Sequence, residues 1–325
     1  MRLILVVLLL AGLCAVGGAY VWLHLPLKMA DSVVDLSIEP GSNARQVALA
    51  VQQAGIDVRP ALLYWTFRLS GSARNIKAGS YEIDSSTTPL TLLSKLVEGD
   101  AALGRVTLVE GWNFQQVRQA LQKAEHLKSV AVAMDDADLM RTLGRPNTLP
   151  EGRFFPDTYV YSKGASDITV LERAMHAMDK KLEQAWALRD VNSPLTSADQ
   201  LLILASIIEK ETGLESDRPM VASVFSNRLR IGMRLQTDPT VIYGLGAAFD
   251  GNLRKVDLVT DTPYNTYTRV GLPPGPIAMP GKAALLAAIQ PAQSKALYFV
   301  ARGDGSSQFS ETLDAHNRAV NKYLR

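Results

Sequence analysis

The sequence predicts an α+β protein in three parts: a transmembrane helix over residues 1–24, a small α+β module over 25–103, and a larger mixed α/β domain over 104–325. Three observations carry this reading. Leu3 to Leu23 runs without a charged residue behind Arg2, long enough to cross a bilayer as a helix. The segment after it reads strand, helix, helix, strand. From Val106 onward long amphipathic helices flank a stretch rich in Gly, Pro, Thr, Asn and Tyr.

A cleaved signal peptide competes for the first part, since Gly17 and Ala19 are small enough for a cleavage site, but its apolar region is normally shorter. Bulky Leu13 before Cys14 argues against a lipoprotein. Arg2 favours a cytoplasmic N-terminus, which puts everything beyond about Lys28 on the outer side of the membrane. Cys14 is the single cysteine, so no intramolecular disulfide forms and stability rests on packing. The four histidines, His24, His126, His176 and His316, are scattered without ligand spacing, so neither a metal nor another cofactor is expected. A net charge of +2, spread along the chain, excludes a strong case for nucleic acid as a partner.

In the module, Asp35-Leu-Ser-Ile reads as a strand. Glu39-Pro-Gly-Ser-Asn is a turn that caps a helix from Ala44 to Ala54, and Gly55 stops it. A helix over Ala61 to Leu69 and a strand Ala78-Gly-Ser-Tyr-Glu-Ile complete it. It carries no carboxylate pair and no histidine, which fits packing or binding better than catalysis. Gly41-Ser-Asn-Ala-Arg-Gln-Val-Ala returns as Gly111-Trp-Asn-Phe-Gln-Gln-Val-Arg, with Asn43 and Asn113 placed as helix caps. Further on, Glu151-Gly-Arg-Phe-Phe-Pro-Asp-Thr-Tyr reads as an aromatic loop, and helices are expected over Ile168 to Leu188, from Ser197 to about Thr212, and from Asp217. Ile231 to Pro280 lacks strong periodicity and reads as a binding surface. A helix over Lys282 to Ala288, a hairpin across Gly303-Asp-Gly and a helix over Ala315 to Leu324 close the chain.

The strongest candidate for chemistry lies in Leu201-Leu-Ile-Leu-Ala-Ser-Ile-Ile-Glu-Lys-Glu-Thr-Gly. On a helix, Glu211 sits over Leu204, Ile207 and Ile208, while Glu209 points to another face beside Leu202, Ala205 and Ser206. Desolvation and the negative end of the helix dipole both oppose ionisation of Glu211, which suits a general acid. Glu209 is expected to be the more ordinary carboxylate. Gln236, Thr237, Asp238, Tyr243, Tyr264, Asn265 and Tyr267, with Phe154, Phe155, Asp157 and Tyr159 before them, offer the amide, hydroxyl, carboxylate and ring surfaces that hold sugars. Glu151 joins Gln236, Asp238, Tyr264, Asn265 and Tyr267 as an expected substrate contact. Arg228, Arg230 and Arg234 either meet anionic groups or form a solvated helix face.

Glu209-Lys-Glu-Thr, the run Ala222 to Gly244, Tyr264-Asn-Thr-Tyr and Gly271-Leu-Pro-Pro-Gly-Pro-Ile together resemble the YceG-like endolytic murein transglycosylases, often called MltG. Leu108-Val-Glu-Gly, Glu151-Gly-Arg-Phe-Phe-Pro-Asp-Thr and the N-terminal apolar run extend the resemblance over nearly the whole chain. It implies a single-pass protein of the inner membrane with a periplasmic body, a LysM-like module after the anchor, and peptidoglycan glycan strands as substrate. It also implies cleavage between N-acetylmuramic acid and N-acetylglucosamine with 1,6-anhydro ends, a role in terminating strand elongation beside peptidoglycan synthases, and Glu211 as the catalytic residue. Phe155 and Tyr159 stand where relatives carry tryptophan. Two alternatives stay open on the residues alone: a hydrolytic muramidase with Glu211 as acid and Asp238 or Glu151 as base, and a membrane-tethered scaffold without catalysis.

Overall fold

The computed structural model describes residues 2–29, 33–99 and 103–324. Two compact units emerge: residues 1–105 with 125–128 and 160–165, and residues 106–124, 129–159 and 166–325. The sequence sets a short polar stretch with Lys28, Asp31 and Ser32 between the apolar run and the first strand; Asp31 and Ser32 lie outside the described residues.

The first unit begins with α1 (Arg2–His24). Among the described residues no helix is long and apolar enough to cross a membrane. Leu10, Leu13, Val16, Tyr20 and Val21 of α1 are exposed. Its end belongs to the unit: Trp22 packs against the core, Leu27 is buried, and the Leu27 N–H donates to the Thr87 carbonyl. The short strands β1 (Lys28–Met29) and β3 (Ile56–Asp57) pair, so Lys28 of the polar stretch already lies in a strand. β2 (Val33–Ile38) alternates exposed and buried residues as a half-buried strand must, sending Val34, Leu36 and Ile38 inward. It pairs antiparallel with β4 (Gly79–Asp84), and the register sets Leu36 opposite Tyr81 and Val34 opposite Ile83. α2 (Ala44–Gln53) starts at Asn43, whose side chain accepts from the Gln46 N–H while the Gln46 side chain accepts from Asn43. α3 (Pro60–Leu69) adds Leu63 and Phe67 to the core. α4 (Pro89–Glu98), for which no helix was expected, adds Leu92, Leu93 and Leu96.

β5 (Leu103–Thr107) pairs with β6 (Thr158–Ser162), which forms where a loop was expected to run on to Tyr159; residues 103–105 and 160–162 of these strands belong to the first unit. In the second unit the strands are few. β7 (Tyr298–Ala301) and β8 (Ser307–Ser310) make an antiparallel hairpin. Every sheet among the described residues has two strands, and the α+β class holds. Helices build the core instead. α5 (Phe114–Lys123), capped by Asn113, and α6 (Asp136–Thr142) precede β6. α7 (Asp167–Ala187), α8 (Ala198–Glu211), α9 (Arg218–Arg230), α10 (Asp238–Leu245), α11 (Lys255–Val259) and α12 (Lys282–Ile289) follow it, and α13 (Leu313–Tyr323) comes after the hairpin. α8 is buried at every position from Leu201 to Ile208, because α7, α9 and α12 cover a helix that is apolar all round. The supposedly irregular stretch Ile231 to Pro280 contains α10 and α11, and α10 begins with the helix-starting pair Asp238-Pro239.

Candidate active site

Glu211 is the last residue of α8, and Thr212 turns the chain into extended backbone at φ −144° and ψ 129°. The helix therefore delivers a carboxylate from the middle of the core to its edge. There Glu211 Oε1 accepts a hydrogen bond from the Thr237 hydroxyl. Thr237 is itself fixed: its N–H donates to Thr266 Oγ1 at 3.1 Å, its carbonyl accepts from Thr240 Oγ1 at 2.7 Å, and the Thr240 and Thr266 hydroxyls lie 2.9 Å apart. All three threonines are buried. The same network holds Gln236 at φ +49°, a left-handed conformation that side-chain-bearing residues adopt at a cost, through its N–H to the Thr266 carbonyl.

Burial pushes the Glu211 carboxyl above the ordinary carboxylate range, and the neighbouring Asp238 charge pushes it further. The Thr237 hydroxyl and the Arg228 guanidinium oppose that shift. Arg228 is a fixed charge, buried with Nε on the Leu297 carbonyl at 2.7 Å and Nη1 on the Leu235 carbonyl at 2.6 Å. Its guanidinium is thus neither on a solvated face nor free for a ligand, whereas Arg230 and Arg234 are exposed. The result is an acid whose neutral form is favoured beyond the ordinary carboxylate range, next to groups that can stabilise its anion, as proton transfer in both directions requires.

Around Glu211 the expected contacts divide. Gln236 and Asp238 are exposed beside it, and Asp238 Oδ1 accepts from the Tyr267 hydroxyl at 2.5 Å. Tyr264 lies one step away, its ring 4.8 Å from that of Tyr243. Tyr243 bonds to Glu151, whose two oxygens lie 3.1 and 3.2 Å from the Phe114 N–H. Glu151 is buried, and burial raises its carboxyl to about 7. Asn265 is a correction. It is wholly buried, and its amide donates to the carbonyls of Asp257, Leu258 and Thr260 at 3.1, 3.2 and 2.7 Å, so it ties down the end of α11 and has no donor left for substrate.

Glu209 is a second correction. Its side chain is only 7% exposed, its Oε2 accepts from the Gly281 N–H at 2.8 Å, and Arg218 stands 3.9 Å away, so it is a buried structural carboxylate and not an ordinary solvated one. Burial raises its carboxyl too. Phe154, Phe155 and Tyr159 also leave the list of sugar surfaces. They are buried, with Phe154 stacked on Phe114 at 5.3 Å and the Tyr159 hydroxyl on the Phe155 carbonyl. Among the described residues no group of three or more His, Cys, Asp or Glu side chains is placed to hold a metal ion.

The profile of the YceG-like family matches residues 36–322. The chain belongs to the YceG-like family. A Bacillus subtilis protein named endolytic murein transglycosylase is 30% identical over 95% of this chain and 91% of its own length. A Streptococcus pneumoniae protein of the same name is 27% identical over 90% of this chain, which spans 58% of that longer protein. The crystal structure of a yceG-like protein from Listeria monocytogenes superposes with a TM-score of 0.57 at 29% identity, covering 89% of this chain and 99% of the other.

In this YceG-like chain two site features were not singled out from the sequence. Thr240 and Thr266 hold the backbone of Thr237, whose hydroxyl bonds Glu211, and Phe114 offers its N–H to Glu151. The threonines carried a local signal, since each follows a residue already named as sugar-compatible by two or one positions. The Phe114 contact joins residues far apart in sequence and had none.

Proposed function

We propose that this chain is a membrane-anchored endolytic transglycosylase of peptidoglycan. It cuts the bond between N-acetylmuramic acid and N-acetylglucosamine in nascent glycan strands, leaves 1,6-anhydro ends, and so stops strand elongation. The observation that carries the reading is the single carboxyl of Glu211, raised by burial and held by one fixed hydroxyl. Neutral Glu211 donates its proton to the glycosidic oxygen as the bond from the anomeric carbon breaks. The resulting carboxylate, steadied by Thr237 and Arg228, takes the proton of the muramic acid 6-hydroxyl as that oxygen bonds to the anomeric carbon. The acid is regenerated and no water is consumed. An intramolecular nucleophile has a high effective concentration, which is why a second carboxylate is dispensable. Gln236, Asp238 and Tyr267 are the adjoining substrate contacts.

α1 is the proposed anchor. It is helical over 23 residues, about 35 Å at the usual rise, and its exposed face is apolar. The first unit, a LysM-like module, supplies affinity for polymeric strands on the periplasmic side of the inner membrane, near the synthases that make them. A hydrolytic reading is favoured by one feature, the exposed Asp238 carboxylate close enough to raise Glu211. Digestion of purified peptidoglycan by the full chain separates the two. Transglycosylation gives products one water lighter, without a reducing end, and none with Glu211→Gln; products with reducing ends support hydrolysis, and no products support a binding role alone.

A further inference from the structure

A cleft of about 880 Å³ opens between the first turn of α5 and α10 in the second unit. It adjoins the catalytic carboxyl without containing it: Lys210, the residue before Glu211, and Pro239, two positions after Thr237, both line it. The floor is Glu151. This carboxyl is surrounded by donors, with the Phe114 N–H, the Gly152 N–H and the Tyr243 hydroxyl all directed to it. Gly152 is required there, since its φ is +76° and a Cβ would stand 2.5 Å from Pro276, so the Glu151 turn is clamped between the Pro276 loop and α5. Once Glu151 carries a proton, the Phe114 and Gly152 N–H groups offer its O–H no acceptor, and while the Tyr243 hydroxyl goes on donating to the carboxyl that O–H is left to bond a molecule in the cleft. Leu149, Ile242 and Phe249 give the same cleft an apolar wall, and Asn113, Gln115 and Gln116 give it an amide rim. A donor on the floor, an apolar wall and amides at the edge suit the ring face and acetamido carbonyl of an N-acetylated sugar.

We propose that this cleft is a saccharide subsite next to the scissile bond, and that Glu151, held by Phe114 and Tyr243, is a positioning residue that donates to an acetamido carbonyl of the strand. The inference rests on the glycan-strand reading above. Because Tyr243 lies on α10, whose N-cap Thr237 bonds Glu211 and whose first residue Asp238 bonds Tyr267, a sugar seated on Glu151 also fixes the helix that follows Thr237. Occupancy is then pH-dependent. Glu151 titrates at about 7, so its donor is present below that pH and is lost above it. The other charged or titratable groups facing it are Asp136, Tyr243 and Tyr264, with Lys210 on the rim; Asp136 raises Glu151, and burial keeps both tyrosines protonated through this range.

The test uses the full chain in the Glu211→Gln background, which binds without cutting, and peptide-free glycan strands as the probe. Amide hydrogen exchange in residues 111–117 and 239–249 is followed as strands are added. The expected result is slowed exchange in both segments, with half-saturation roughly tenfold higher for Glu151→Ala, the loss of one hydrogen bond to the sugar, while Tyr243→Phe, which removes a donor that favours the Glu151 anion, moves the pH-dependence of half-saturation upward. Half-saturation should also rise from pH 6 to pH 8 with Glu151 present and stay level with Glu151→Gln, whose amide donates at either pH. Slowing that is absent from these segments, or that is equally strong and equally pH-dependent in all variants, overturns the subsite. Should Glu151→Ala fail to fold, Tyr243→Phe and the pH comparison decide. Because binding is read without cleavage, an inactive native chain would count against the transglycosylase reading and leave this result standing.

Discussion

Two carboxylates leave the last turn of α8 on different faces, and both are drawn out of water. Around Glu209 the partners are a backbone N–H and an arginine, fixed groups that hold a charge in place and leave no room for a ligand. Around Glu211 the partner is one hydroxyl on a loop that also exposes Gln236 and Asp238. Burial raises both acids, so burial by itself does not distinguish a catalytic carboxyl from a structural one. The distinction lies in what shares the space: Glu209 is closed in by Gly281, where even a Cβ would run into Glu110, and Glu211 borders residues that solvent reaches.

The largest way to break this comparison is Glu211→Gln. Gln keeps the shape but cannot deliver a proton, and because one group serves both half-steps the loss of cleavage should reach or exceed ~10⁴-fold at unchanged melting temperature. Product release from peptidoglycan measures it. Next comes Glu151, a third buried acid, on stability. Its folded value of about 7 lies above its ordinary 4.5, so the folded chain holds that proton more tightly. The stability it contributes is complete below pH 4.5 and is lost as pH rises to about 7, a change of ~3 kcal/mol at about 1.4 kcal/mol per unit. Denaturant unfolding of Glu151→Gln should be flatter with pH than that of the parent by that amount.

Glu209 sharpens the contrast at a smaller scale. Glu209→Ala leaves the Gly281 N–H and Arg218 unpaired, costing about 2–3 kcal/mol in unfolding experiments, while cleavage per folded molecule falls by less than about tenfold. Glu209→Gln should lose less than the alanine variant on both counts, because its carbonyl still accepts from Gly281. The smallest effect is expected for Thr237→Val. Removing the hydroxyl takes away a bond that favours the Glu211 anion, so the alkaline limb of the pH–rate profile should move upward and kcat should fall about tenfold. An unmoved limb would mean that Thr237 does not hold the acting acid.

Where sequence and structure agree, the cause is local. Asn43 and Asn113 cap their helices with Gln46 and Gln116 as the spacing dictates, and a helix apolar at seven of the eight positions from Leu201 to Ile208 had to be buried, which placed Glu211 at the edge of a core. α4 carries equally local signals, with Thr88 as cap, Pro89 in the first turn and Gly99 as stop. The surroundings of Glu209 and Asn265 were not readable. A helical wheel gives the direction of a side chain and says nothing of what packs there, and the groups that meet these two residues come from Gly281 and from the end of α11. The same limit hid the link from Glu151 to Phe114.

The most direct test of the central claim, one acid and a nucleophile from the sugar itself, is digestion of purified peptidoglycan in water enriched in heavy oxygen, followed by mass analysis of the new ends. The expected result is ends that carry no label, are one water lighter than hydrolysed ends, and vanish with Glu211→Gln. One heavy oxygen gained at each cut would show that water is the nucleophile and would contradict the single-carboxyl mechanism.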